Sequence, residues 1–516
     1  MRAPNQLVVF GLSSLLGWAG CDRGSTTDPG ANSERDESAG EASGSEARWR
    51  YRASVDTELS RMQLALCIEG PTPLALVAGA DAIRFVRSAK LRGGDELERA
   101  GERLVLDTLG ESGCVDLELD LAAMADEGER DATRVGESLM LTPTLWLWHP
   151  AKIPTELDAT LELDLPAGVH LTGPWPIEGD RRRLDDSAFL WSAWTALGRF
   201  EPLEFEAAGC SFEVALLGST PRASHEGIEA WIRGAAESSA ELFHRFSRER
   251  ASVVVISSSG WGSDPVHFGM ARRGGGASAM LILDPAAKDD ELIGEWVSTH
   301  EFLHFGMPLV GDPWMSEGFV TYYTTILRAR RGLLGRTLER SASESEADFQ
   351  ARCALEMLAN GFARSRANAR TLERASALMR QQATYGHVYW GGAALAMDLD
   401  IQLRLASGGR RSLDDLMIAM LELIPVARRW TAAELFERFD REVERWREAG
   451  ELDREVSPSA IARVHLDARS TPDRIAKLEQ LAVELDRGDD LRLLDQPIDQ
   501  VRLRQSLFTP RGSSGD

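Results

Sequence analysis

The sequence predicts a multidomain α+β protein: a β-sandwich-like amino-terminal domain, an α/β central domain and a helical carboxy-terminal half. Three observations carry this expectation. Residues 48–210 contain short runs of alternating apolar and polar residues with Gly and Pro turns between them. Residues 211–345 mix strand-like runs with helical spacing, and residues 346–450 are helically patterned almost throughout. At 516 residues the chain has room for about two to four domains and a substantial core.

The amino terminus reads as an export signal over residues 1–21. Arg2 precedes an apolar run at 7–16 that is too short for a comfortable membrane span, and Trp18-Ala19-Gly20 lead into Cys21. Ala-Gly-Cys in this place resembles a bacterial lipobox, which implies a lipid anchor on Cys21 and residence in the cell envelope. Trp18 stands where a lipobox has Leu, so a cleaved, periplasmic or secreted product is the alternative. Residues 22–47 are Gly, Ser, Thr and acidic residues with almost nothing apolar, the composition of a disordered tether. The formal charge of −23 leaves no basic excess to neutralise phosphates, so nucleic acid is not an expected partner.

In the β-rich segment, residues 62–67, 141–148 and 160–165 alternate as half-buried strands do. Cys67 and Cys114 both lie here, and an exported chain permits their pairing as a disulfide. Cys210 and Cys353 read as buried thiols. The central segment holds strand-like runs at 211–217, 253–256 and 280–283 and a helical run at 228–248.

The chemistry is concentrated just after these strands. Residues 289–304 form one expected helix, capped by Asp289 or Asp290 and ending in His300-Glu301-Phe302-Leu303-His304. Positions i and i+4 share a helix face, so His300 and His304 are placed to hold one metal. A short loop leads to a second helix, with Asp312 as cap and Pro313 at its first position, running to Arg331 ahead of Gly332. Glu317 near its start is the natural third ligand. Two His and one Glu with an open fourth position is a known hydrolytic zinc set, in which the metal lowers the pKa of a bound water. Glu301, beside the ligands, is the expected general base.

These residues resemble the gluzincin metallopeptidases, whose helix His-Glu-x-x-His is followed by a segment like Trp314-Met315-Ser316-Glu317-Gly318-Phe319. Ser316 to Tyr323, with the later Tyr389-Trp390-Gly391-Gly392-Ala393-Ala394-Leu395 and Leu399 to Arg404, is most similar to the glycyl-aminopeptidase family. The resemblance implies a thermolysin-like zinc peptidase domain at 211–345, a helical domain at 346–450 closing the cleft, and peptide or protein substrates. It gives Tyr389 the role of hydrogen-bond donor to the tetrahedral intermediate, with Tyr385 and His387 beside it. It also implies a substrate-binding edge strand at 277–283, including Ala277, Ser278, Ala279 and Met280; a fully internal strand is the equal alternative. Two features depart from the family. The loop between His304 and Glu317 is short, and Ala271 stands where aminopeptidases carry the glutamate that binds a free amine.

The expected function is therefore an exported, zinc-dependent metallopeptidase on an aminopeptidase-like scaffold. The alternatives are a catalytically retired relative that binds peptide or envelope components, and an endopeptidase for one envelope protein. Residues 451–516 are charged and partly helical, with no pattern that assigns them a role.

Overall fold

The computed structural model describes residues 47–510 apart from 72, 107–108, 110–111, 128–130, 260–263, 337, 366–369, 469–473 and 486–490. Cys21, the expected signal and nearly all of the acidic tether lie outside the described residues. The chain divides into two compact units, one ending at Glu229 and taking in Arg248–Asp289, the other made of Ala230–Ser247 and the chain from Asp290 onward.

The first unit is β-rich. Its largest sheet contains β1 (Ala47–Val55), β2 (Arg61–Glu69), β3 (Val86–Leu91), β4 (Ser112–Asp120), β5 (Leu157–Asp164), β6 (Ile177–Glu178) and β7 (Arg181–Leu184). Their spatial order is β6-β7-β5-β1-β2-β4-β3. In β2 the alternation is realised directly: Met62, Leu64, Leu66 and Ile68 turn inward, and the intervening residues do not. They join Trp49, Tyr51, Leu117, Leu161, Trp146 and Trp148 in one core. Two four-stranded sheets contribute to it, one containing Ala75–Val77 and Arg103–Val105, the other Ser138–Leu141 and Thr195–Gly198. Each fully buried large side chain there contributes roughly 1.5–3 kcal/mol relative to exposure. Cys67 and Cys114 are directly opposed across β2 and β4 and are joined by a disulfide. Cys210 and Cys353 are buried free thiols.

The same unit carries a five-stranded mixed sheet of β8 (Leu203–Ala207), β9 (Cys210–Gly218), β10 (Arg250–Ser257), β11 (Val266–Arg272) and β12 (Ala277–Leu283), in the order β8-β9-β10-β12-β11. This corrects the expectation of a substrate-binding edge at 277–283. β12 pairs in parallel with β10 on one side and antiparallel with β11 on the other, so the backbone of Ala277, Ser278, Ala279 and Met280 has no open edge to offer. The reason is in its composition: Ala277, Ser278, Ala279, Leu281 and Leu283 are all fully buried, as a strand covered on both faces requires. The Ser278 hydroxyl is also engaged, accepting the Trp194 backbone N–H and donating to the Arg272 carbonyl. The edge position belongs to β11.

The second unit is helical. After α1 (His225–Phe243), which begins in the first unit, come α2 (Trp296–His304), α3 (Pro313–Arg330), α4 (Glu346–Ser365), α5 (Tyr385–Ser407), α6 (Ala432–Glu448), α7 (Pro458–Asp467) and α8 (Ile498–Phe508). The expected continuous helix over 289–304 is interrupted. Asp289–Leu292 makes a single turn, Gly294 adopts φ +73, and a new helix starts after Glu295. A left-handed glycine ends the first turn at no steric cost, and Glu295 caps the second helix. Among the described residues no helix is long and apolar enough to cross a membrane.

Candidate metal centre

The site is built from three helices of the second unit. α2 sets the first two donors. Its amino-terminal N–H groups would be orphaned without a cap, and Glu295 supplies one: its carboxylate accepts from Val297 N and from Ser298 N at 3.0 Å. Ser298 Oγ donates to it at 3.1 Å, and Trp231 Nε1 at 3.4 Å. Burial pushes the Glu295 carboxyl pKa up, against these hydrogen bonds and the nearby Arg328. A helix fixed this firmly holds His300 and His304 one turn apart, with ring centroids 5.0 Å from each other.

A tight return brings the third donor. Gly306 lies against the Phe243 ring, where an added Cβ would stand 2.0 Å from Phe243 Cε2, so only glycine lets the loop turn this closely. Asp312 precedes α3, and its carboxylate accepts from the Ala432 N–H at 2.7 Å, tying this helix start to α6. Glu317 in the first turns of α3 then places Oε2 3.3 Å from His300 Nε2 and 3.5 Å from His304 Nε2. The three ligand atoms all lie within 4.8 Å of one another. Burial alone would raise the Glu317 pKa, but His304 and His300 outweigh it and hold the group ionised. On the far side of the first imidazole, Thr324 Oγ1 donates to the Val320 carbonyl at 2.7 Å and lies 3.5 Å from His300 Nδ1. With its proton committed to Val320, the hydroxyl is able to accept from Nδ1–H, the tautomer that would free Nε2 for a metal.

α5 supplies the aromatic wall. It crosses α3 at a pair of glycines: a Cβ on Gly318 would be 2.4 Å from Gly392 Cα, and one on Gly392 would be 1.9 Å from the Trp314 carbonyl oxygen. Backbones this close have no room for side chains between them. The crossing sets Tyr389 in stack with His300, centroids 5.9 Å apart and planes 4° from parallel. Enclosure raises the Tyr389 pKa well above normal, and the charges of Glu317 and Glu301 raise it further, so the phenol keeps its proton as a donor.

The sequence-predicted residues thus separate into groups. His300, His304 and Glu317 converge, with Glu301 and Tyr389 close enough to share their field. Tyr385 precedes Tyr389 by one turn on α5 and adds to its pKa shift. His387 turns elsewhere: it is buried, and its Nδ1 engages Ser365 Oγ at 2.9 Å and the Ser365 carbonyl at 3.1 Å. It is not part of the ligand cluster. Ala277 to Met280 belong to the internal strand described above. Glu295, Thr324 and the Gly318–Gly392 crossing were not singled out from sequence. A signal for Gly318 was there, since it is the one glycine in α3, whereas Gly392 is one of three glycines in α5 and does not stand out.

Two imidazole nitrogens and one carboxylate oxygen at these separations fit the donor preferences of zinc, with a fourth position left for water or substrate. No protein-family model matches this sequence, and no curated protein is similar to it. The fold is similar to the crystal structure of an aminopeptidase N family protein from Idiomarina loihiensis, at a TM-score of 0.59 and 16% identity over 87% of this chain and 82% of that one. An M1 zinc metallopeptidase from Deinococcus radiodurans matches more loosely, at a TM-score of 0.46 and 14% identity over 83% of this chain and 93% of that one. The first likeness establishes the architecture: a β-rich amino-terminal part and a helical carboxy-terminal half.

Proposed function

We propose that this chain is a zinc-dependent metallopeptidase of gluzincin type, most like the glycyl-aminopeptidase family. The observation that carries the reading is the convergence of His300, His304 and Glu317, with the Tyr389 phenol stacked over the first of them. Zinc bound to these residues supplies a Lewis acid and lowers the pKa of water at its open position. The chain's own residues do the rest. Glu301, on the same turn as the two ligands, accepts a proton from the attacking water and later delivers one to the leaving amine, a role worth roughly 10²–10⁴-fold. Tyr389 donates a hydrogen bond to the carbonyl oxygen as it gains charge. Its raised pKa suits it to remain protonated, and a donor of this kind is worth about 10²–10³-fold. The Thr324 contact keeps His300 in the tautomer that presents Nε2.

The proposal includes export, with Cys21 as the lipid-bearing residue and the acidic segment after it as a tether at the cell envelope. Substrates are peptides or proteins. Ala271, on the edge strand β11, replaces the glutamate that an aminopeptidase uses for a free amine, which favours attack away from a chain terminus. The test is metal content and peptide-library cleavage for the purified chain and for Glu301→Gln. One equivalent of zinc in both, with cleavage confined to the wild type, is the expected result, and internal fragment ends identify an endopeptidase. Zinc without cleavage in the wild type favours an endopeptidase of narrow substrate or the retired, peptide-binding alternative, and a folded chain with no zinc refutes the metal centre.

A further inference from the structure

The residues beyond 450 carry no recognisable motif, yet their contacts converge on α3 and α5, two of the three helices at the metal centre. On α5, Asp400 is fully buried. It accepts from the Tyr322 hydroxyl of α3 at 2.7 Å, from Arg404 Nε at 3.0 Å and from the Leu413 N–H at 2.9 Å. Beside it, Asp414 accepts from the Tyr323 hydroxyl at 3.0 Å and pairs with Arg330 at 3.0 Å. Both arginines then reach the same short segment of α8: Arg330 Nε donates to the Leu507 carbonyl and Arg404 Nη1 to the Ser506 carbonyl, each at 2.8 Å. Asp398, a second buried acid on α5, accepts from His465 Nε2 of α7 at 3.0 Å and from Lys477 Nζ at 2.6 Å.

Resting on the zinc-peptidase reading, we propose that α7, Lys477 and α8 clamp the metal centre, with Arg330 and Arg404 as the positioning residues. The physical need for a clamp follows from the glycine crossing. At Gly318 and Gly392 no side chain interlocks α3 with α5, so that point alone permits sliding and rotation. Two helices need a second fixed point to hold register; the Tyr322–Asp400–Arg404 set provides it further along both, and the Tyr323–Asp414–Arg330 set ties α3 to the neighbouring helix Leu413–Ala419 beside it. Arg404 donates both to Asp400 and to an α8 carbonyl, and Arg330 donates to an α8 carbonyl while its guanidinium pairs with Asp414, which restricts the orientation of each. Glu317 lies on one of the clamped helices and Tyr389 on the other, so the clamp governs the distance between ligand and phenol.

The test uses the full chain and three variants: Arg404→Lys, Tyr322→Phe and, as a control in the β core, Leu66→Ala. Zinc affinity by chelator competition, kcat, KM and Tm are read for each. Lysine keeps the charge but cannot reproduce the fork. Arg404→Lys is expected to weaken zinc binding about tenfold and to lower kcat by about 10–100-fold, the scale of a misplacement near 1 Å, with KM within about twofold. Tyr322→Phe shifts both in the same direction by less, and Leu66→Ala lowers Tm with neither change. Should Arg404→Lys fail to fold, Tyr322→Phe decides, because it removes a single hydroxyl. Variants that lose Tm while zinc affinity and kcat stay within about twofold of wild type overturn the clamp and leave the peptidase reading standing. A wild-type chain that takes up no zinc overturns both, and one that binds zinc without cleaving leaves the affinity readout to decide.

Discussion

Replacing Gly392 with alanine adds one methyl group to an ordinary helix interior, where the change normally stabilises by about 0.5–1 kcal/mol. Here the sign should reverse. The added Cβ would stand 1.9 Å from the Trp314 carbonyl oxygen and 2.8 Å from Gly318 Cα. That is roughly 1.5 Å inside ordinary van der Waals contact, and the obstruction is backbone that cannot swing aside. α5 must move off α3, at an overpacking cost of about 1–3 kcal/mol. Because Tyr389 rides on α5 and Glu317 on α3, a shift of about 1 Å also costs on the order of 100-fold in rate. Thermal unfolding, chelator competition and kcat for Gly392→Ala, set beside Gly234→Ala, form the assay. Nothing lies within 4 Å of a Cβ added to Gly234 on α1, so that control should be neutral or stabilising. Gly392→Ala as stable as the control, with unchanged zinc affinity, would refute the crossing as a close contact that sets the spacing of α3 and α5.

Three further outcomes follow from the geometry. Thr324→Val removes the acceptor at His300 Nδ1 and should weaken zinc binding by about 10–100-fold, measured by chelator competition. Glu295→Gln should lower stability by about 0.5–2 kcal/mol near pH 4 through the weakened cap. Burial raises the folded pKa of Glu295, so its contribution in the wild type is full below the unfolded pKa and is lost as pH rises through the folded one. The Tm deficit of Glu295→Gln should therefore shrink between about pH 4 and pH 7; a deficit that grows over this interval contradicts the direction of the shift. Finally, Cys67→Ser should destabilise the chain by about 4 kcal/mol, the chain-entropy value for a bridge that spans 47 residues, as read from chemical denaturation.

The ligand set was legible because its geometry is local. His300 and His304 are bound by helix periodicity, and Pro313 after Asp312 announced the helix that carries Glu317. The break at Gly294 was missed because the apolar spacing around it continues as if the helix did. For strand β12 the resemblance left edge and interior open, and its composition decides: Ala-Ser-Ala-Met-Leu-Ile-Leu has the unbroken small and apolar character of a strand buried on both faces. The adjacent Val-His-Phe-Gly-Met-Ala-Arg is the more polar run, and it takes the edge. Least legible were the partners of Arg330 and Arg404. A basic residue on a helix ordinarily faces solvent, and only the folded chain reveals carbonyl groups waiting for each of them in its interior.

That arrangement has a consequence in time. The Leu507 carbonyl follows Arg330 by 177 residues, so at cellular rates of synthesis the α3 arginine is made roughly 9–35 s before its acceptor. The histidines and Glu317 are already present during that interval, but the helices bearing them lack their final contacts. Nascent chains stalled before Ile498 should leave α3 and α5 open to protease digestion, and protection at that stage would show that the interval has no effect. A chain built this way completes the contacts of α3 and α5 only after the residues of the β-rich unit have been made.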